Sequence, residues 1–137
     1  MEKIRQDKIE EIAKRYDLQL LLLFGSQVSG KTHPMSDFDF GYVGKKKLDY
    51  KERSSLANEL SKLIKFPNVE VIDLKNGSPF LLKEIIKNNQ IYFEENGAYA
   101  DFYTRATRIY FDAKPIFKLQ EIIYSNAINK YRKQYAK

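Results

Sequence analysis

Two aspartates, Asp37 and Asp39, stand two residues apart in a stretch that alternates with Phe38, Phe40 and Tyr42. On an extended strand this alternation gathers the rings on one face and sets the two carboxylates together on the other. Carboxylates held so close would repel one another strongly if both were ionised in an apolar setting. They suit a hard, oxygen-seeking cation, and magnesium is usually held by one or two carboxylates together with substrate phosphates. Ten residues before Asp37 the chain carries Gly25-Ser26, directly after the apolar run Leu18 to Phe24. A glycine ending a buried strand lets backbone approach a phosphate, and Ser26 can open a short helix whose free N–H groups face that phosphate. Alone, Gly-Ser is an ordinary turn and Asp-x-Asp an ordinary solvated strand face. Together they predict a phosphate cradle beside a metal pair, which is what transfer to or from a nucleotide needs.

The surrounding pattern supplies elements to position these groups. Residues 2–16 read as an amphipathic helix with Ile9, Ile12, Ala13 and Tyr16 at helical spacing. Leu18 to Phe24 is short, apolar but for Gln19 and stopped by glycine, so a strand buried on both faces is expected. Residues 27–36 form a loop rich in turn formers, and Asp37 to Val43 is the second strand. Asp49, with Glu52 three residues on, predicts a capped helix that carries Leu56, Leu60, Leu63 and Ile64 inward. Val69 to Leu74 is a third strand. Ser78-Pro79 starts another helix to about Asn89, and Ile91 to Phe93 forms a short strand before the Asn96-Gly97 turn. From Asp101 the pattern is helical, with an interruption expected at Pro115. Tyr103, Tyr110 and Phe111 are expected to pack in the core. The basic end, with Tyr131, Arg132, Lys133 and Tyr135, is expected to face a protein partner.

At 137 residues the chain has the length of one domain, and its 43% hydrophobic content is enough to build a core. The expected organisation is a single domain over 1–137, with a core at about 1–95 and a helical C-terminal extension at about 99–137. A formal charge of +6 suits a phosphate-rich ligand or an acidic partner, and equally suits plain solubility. The absence of cysteine excludes disulfides and thiolate metal sites. The charged N-terminus lacks a signal-peptide core, and the longest apolar run, Leu20 to Phe24, is too short to span a bilayer. No membrane association is expected, the default location is cytoplasmic, and direct nucleic-acid binding is not expected. Lys31 is placed to meet a phosphate, whereas His33 and Lys45 to Lys47 read as solvated loop residues.

Gly25-Ser26, ten residues, then Asp37-x-Asp39, with Gly30 and Ser36 in between, resembles the signature of the DNA polymerase β-like nucleotidyltransferase superfamily. Within it the match is to the minimal nucleotidyltransferase (MNT) branch, over roughly residues 1–95. The resemblance implies an α/β (α+β) fold, a small mixed sheet packed by helices. It also implies that Asp37 and Asp39 hold two magnesium ions and that Gly25 and Ser26 hold the β and γ phosphates of ATP. A basic residue that often follows Gly-Ser in this branch is replaced by Gln27, Val28 and Ser29. A third catalytic and metal-binding carboxylate is expected from the strand after Asn68. The resemblance favours Glu70, with Asp73 the alternative, and period two puts those two on opposite faces. The economy of the chain is similar to antitoxins of HEPN/MNT toxin–antitoxin pairs, and residues 104–112 are similar to the tail of such antitoxins. By that resemblance the protein transfers AMP from ATP onto a tyrosine of a HEPN toxin ribonuclease. Two other readings stand beside it: a non-catalytic module that masks a toxin, and a nucleotidyltransferase acting on a small hydroxylated molecule.

Overall fold

A run of apolar side chains needs cover on both faces, and Leu20 to Phe24 finds it within an inner strand, β1 (Leu18–Phe24). The computed structural model describes residues 6–25 and 38–135. Ser26, Lys31, His33 and Asp37 therefore lie outside the described residues. β1 pairs antiparallel with β2 (Phe38–Gly44) on one side and with β4 (Asn89–Glu94) on the other. β3 (Val69–Asp73) runs parallel to β2, which makes a mixed four-stranded sheet of order β3-β2-β1-β4. Parallel neighbours cannot be joined by a tight turn, and the crossover here is the helix α2 (Tyr50–Ile64).

Two layers of helix close the sheet. On one face α1 (Gln6–Arg15) and α2 bring Ile9, Ile12, Leu56 and Leu60 against Leu21, Leu23, Phe40 and Tyr42. On the other, α3 (Pro79–Lys87) and α4 (Ala98–Tyr135) bring Leu82, Ile85, Phe102 and Ala106 against Leu20, Leu22 and Phe24. Gly41 on β2 makes room for this second layer. A Cβ there would stand 2.6 Å from Leu74 Cδ2, so only glycine lets the 3-10 turn Leu74–Asn76 seat its leucine over the strand.

Local signals in the chain form the caps they predict. The Asp49 carboxylate accepts from Glu52 N at 2.7 Å, and Asp49 N donates back to Glu52 Oε1 at 3.3 Å, a complete capping box. The Ser78 hydroxyl accepts from Leu81 N at 3.2 Å ahead of Pro79 in the first turn of α3. Three expectations need correcting. β4 runs from Asn89 to Glu94, longer than the stretch expected, because its pairing with β1 carries it past the apolar residues. α4 continues through Pro115 without interruption. Proline removes the N–H that would bond the Phe111 carbonyl, but this stretch is exposed and water can take up that carbonyl. Finally, Tyr103 and Phe111 are not core residues, being 47% and 59% exposed, and Tyr110 is only half-buried. The inward stripe of α4 is Phe102, Ala106 and Ile109, one position away from two of these aromatics.

Candidate active site

β1 and β2 come together so that Phe24 is paired with Asp39, and Gly25 follows at once with φ of +85°. This is the left-handed half of conformational space, which glycine enters without steric cost. A Cβ at Gly25 would lie 2.7 Å from Asp39 Oδ2. The glycine therefore does two things: it makes the turn, and it leaves the space that the Asp39 carboxylate fills.

Glu70 enters from the other side. β2 and β3 are in register with Asp39 opposite Glu70, and Phe38 N donates to Asn68 O at 2.9 Å to start the pairing. In-register partners on neighbouring strands, about 4.8 Å apart, project to the same face. The face concerned is the one covered farther along by Leu74, α3 and α4. Gly41 is buried under Leu74, whereas Asp39 is half-buried and Glu70 exposed. The helical layer stops between Gly41 and Asp39, and the carboxylates stand at its open end.

Asp73 has a different place. It lies in register with Tyr42, which belongs to the α1–α2 side of the sheet. Its carboxylate accepts from Lys75 N at 2.9 Å and Asn76 Nδ2 at 3.4 Å, capping the 3-10 turn. Tyr42 is buried, and its hydroxyl has no hydrogen-bond partner among the described residues. Burial, and after it the negative charge of Asp73, pushes the Tyr42 phenol up to about 12. The two carboxylates that the sequence left as alternatives are thus separated: Glu70 is on the Asp39 side, and Asp73 is engaged in a turn.

The donors gathered here are carboxylate oxygens, with no cysteine in the chain and room made by the absent Gly25 side chain. This chemistry fits a hard divalent cation and its bound phosphates, with Asp39 and Glu70 as ligands and Asp37 as their expected companion. Two further positions shape the site. Gly41 was legible in principle, since a glycine inside an alternating strand signals a close approach. Arg105 was not: from α4 it donates through Nη2 to the Leu74 carbonyl at 3.2 Å and pins the turn that ends the helical layer. A separate concavity of about 730 Å³ opens at the far end of β1, among Lys14, Asp17, Lys45 and Glu95. Its charges are already matched, as by the Lys45–Glu95 ion pair at 2.8 Å, and neither Gly25 nor Asp39 lines it.

Comparison with known proteins bears on this arrangement. Over 88 residues the chain is 30% identical to the protein adenylyltransferase MntA of Shewanella oneidensis (strain MR-1), and the match covers 63% of each protein. The chain thus spans somewhat less than two thirds of that relative's length. A toxin–antitoxin crystal structure with AMP-PNP shares the fold with a TM-score of 0.71 at 22% identity, covering 90% of this chain and 98% of that one. The tri-AMPylated Shewanella oneidensis HEPN toxin in complex with its MNT antitoxin matches with a TM-score of 0.65 at 20% identity, over 90% and 95% of the two chains. No helix among the described residues is long and apolar enough to cross a membrane. Residues 7–98, which include Gly25, Asp39 and Glu70 and the four strands of the sheet, match the family model "Polymerase beta, Nucleotidyltransferase". The chain belongs to that family.

Proposed function

We propose that the protein is a magnesium-dependent nucleotidyltransferase that moves AMP from ATP onto a tyrosine hydroxyl of a HEPN-type toxin and so acts as its antitoxin. The observation that carries this reading is the Asp39 carboxylate seated against Gly25, with Glu70 in register beside it. Support comes from the family match, from a relative that is a protein adenylyltransferase, and from toxin–antitoxin structures that share the fold. We read the chain as one domain, with core and helical extension, acting in the cytoplasm.

In this reading Gly25 and Ser26 hold the β and γ phosphates through backbone N–H groups and the serine hydroxyl, and Lys31 adds a charge. Asp37, Asp39 and Glu70 would hold two magnesium ions, which neutralise phosphate charge and lower the pKa of the attacking hydroxyl. The tyrosine oxygen attacks the α-phosphorus in line. A new O–P bond forms, the bond to the bridging oxygen breaks, and pyrophosphate leaves with the charge. Glu70, at the exposed edge, takes the hydroxyl proton.

The test incubates the protein with magnesium and ATP labelled at the α or the γ phosphate, with and without a purified HEPN protein. Label entering the HEPN protein from the α position only, and none with Asp39→Asn, is the expected result. A HEPN partner that binds tightly and takes up no label would leave a masking module in place of an enzyme. Label entering a small hydroxylated acceptor instead would move the reading to that substrate class.

A further inference from the structure

The last two thirds of α4 carry an apolar stripe that packs on no described core residue. Phe102, Ala106 and Ile109 face the sheet and pack on Leu20, Leu22 and Phe24. The same spacing of four and three residues then continues through Ala113, Ile116, Gln120, Ile123 and Ala127. This is one seam with a period close to 3.5, the repeat by which a helix keeps one edge against other helices. Past Ala106, however, no described side chain of α4 is buried, and Ile116 and Ile123 are each 58% exposed. α4 has 38 residues, a length of about 57 Å, and roughly its first third is held by the domain. An apolar helical face of that extent in water marks an interaction surface.

Its charge says what kind of partner covers it. Between Ala113 and Tyr135 the chain carries Lys114, Lys118, Lys130, Arg132 and Lys133 against the lone acid Glu121. A second copy laid along the seam would set these cations against the same cations, parallel or antiparallel. A partner whose apolar groove is flanked by aspartate and glutamate would meet them with opposite sign. We infer that residues 113–133 of α4 dock, through the seam of Ile116 and Ile123, into a groove between helices of an acidic partner protein. This rests on the proposed antitoxin function, in which the partner is the toxin that receives AMP. The seam then holds the acceptor while Gly25, Asp39 and Glu70 act on it from the domain.

The experiment uses the full chain and the double variant Ile116→Asp with Ile123→Asp, two exposed positions outside the domain's core. Affinity for the purified HEPN protein is measured by calorimetry, AMP transfer by α-labelled ATP, and the oligomeric state of each free chain by sedimentation. The expected results are a monomeric free chain, binding weakened about 100-fold in the double variant, and an unchanged melting temperature. Raising the salt should weaken wild-type binding as the cationic flank is screened. Equal binding by wild type and variant, with labelling intact, overturns the docking surface and leaves the proposed function standing. No binding and no labelling by the wild type instead removes the function on which the inference rests. A free chain that is dimeric, and monomeric as the double variant, assigns the seam to a second copy and overturns the acidic partner.

Discussion

Gly25→Ala separates the two roles of this glycine. Its φ of +85° costs an L residue about 1–2 kcal/mol, which should lower the melting temperature by roughly 3–10 °C in a chain of this size. The new methyl would also sit 2.7 Å from Asp39 Oδ2, about 0.7 Å inside ordinary van der Waals contact. Asp39 ends in a flexible carboxylate that can swing aside, so the contact adds little to the stability cost. The site has no such latitude: metal–oxygen distances tolerate about 0.2 Å, and a misplacement near 1 Å costs about 100-fold in rate. Gly97→Ala is the matched control, because φ there is +75° and, chain neighbours aside, no described atom lies within 4 Å of the added Cβ. Both variants should lose similar stability in thermal melts. In AMP transfer from α-labelled ATP, Gly25→Ala should fall about 10–100-fold and Gly97→Ala should match wild type. Transfer by Gly25→Ala within about threefold of the control would refute the claim that this glycine keeps the space of the Asp39 carboxylate.

Glu70→Gln should lower turnover by about 100-fold or more with no change in melting temperature; Asp73→Ala should instead cost about 1 kcal/mol of stability through its lost cap, and a far smaller share of turnover. Parallel melts and transfer assays check this pair, and the reverse pattern would make Asp73 the third carboxylate. The Tyr42 phenol titrates near 10 when unfolded and at about 12 when folded, so the folded state keeps its proton longer and stability is full below pH 10, then declines toward pH 12. That decline, roughly 2–3 kcal/mol, should shrink in Tyr42→Phe when denaturant unfolding is followed from pH 9 to 12, leaving the part due to buried Tyr92, whose pKa burial also raises. At pH 7 the same substitution should be nearly neutral, since the hydroxyl has no partner among the described residues to lose.

The parts of this fold that are readable in the sequence are those governed by short-range rules. β1 was bounded by its own hydrophobicity and by Gly25, and the Asp49–Glu52 box and the Ser78-Pro79 start need only four residues each. Glu70 and Asp73 show where such rules stop. Period two put them on opposite faces, but which face meets Asp39 is decided by the register of β2 with β3, a pairing between strands about thirty residues apart. The aromatics of α4 misled for a related reason. Tyr103 and Phe111 look like core by composition, yet the helix turns Phe102, Ala106 and Ile109 inward, and a small alanine marks the closest approach. Pro115 predicts an interruption because it costs a hydrogen bond in any helix; it is tolerated where the helix leaves the domain and the freed carbonyl can reach water. Asp37, Ser26 and Lys31 are expectations from the motif, flanking the place where the Asp39 carboxylate fills the space a Gly25 side chain would take.

Pro115 also has a thermodynamic consequence. It stands close to where α4 passes from domain-held to exposed, and it deletes one rung of the hydrogen-bond ladder there. The turns beyond it are thus coupled to the domain more weakly than an unbroken ladder would allow, and a solvated helix of about twenty residues is only marginally stable by itself. Any protein that docks on this segment selects its helical form, so its apparent affinity is the intrinsic affinity reduced by the fraction already helical. Temperature and helix-stabilising cosolvents then tune recognition by the tail through that population, while Gly25 and Asp39, fixed by the sheet, keep their geometry.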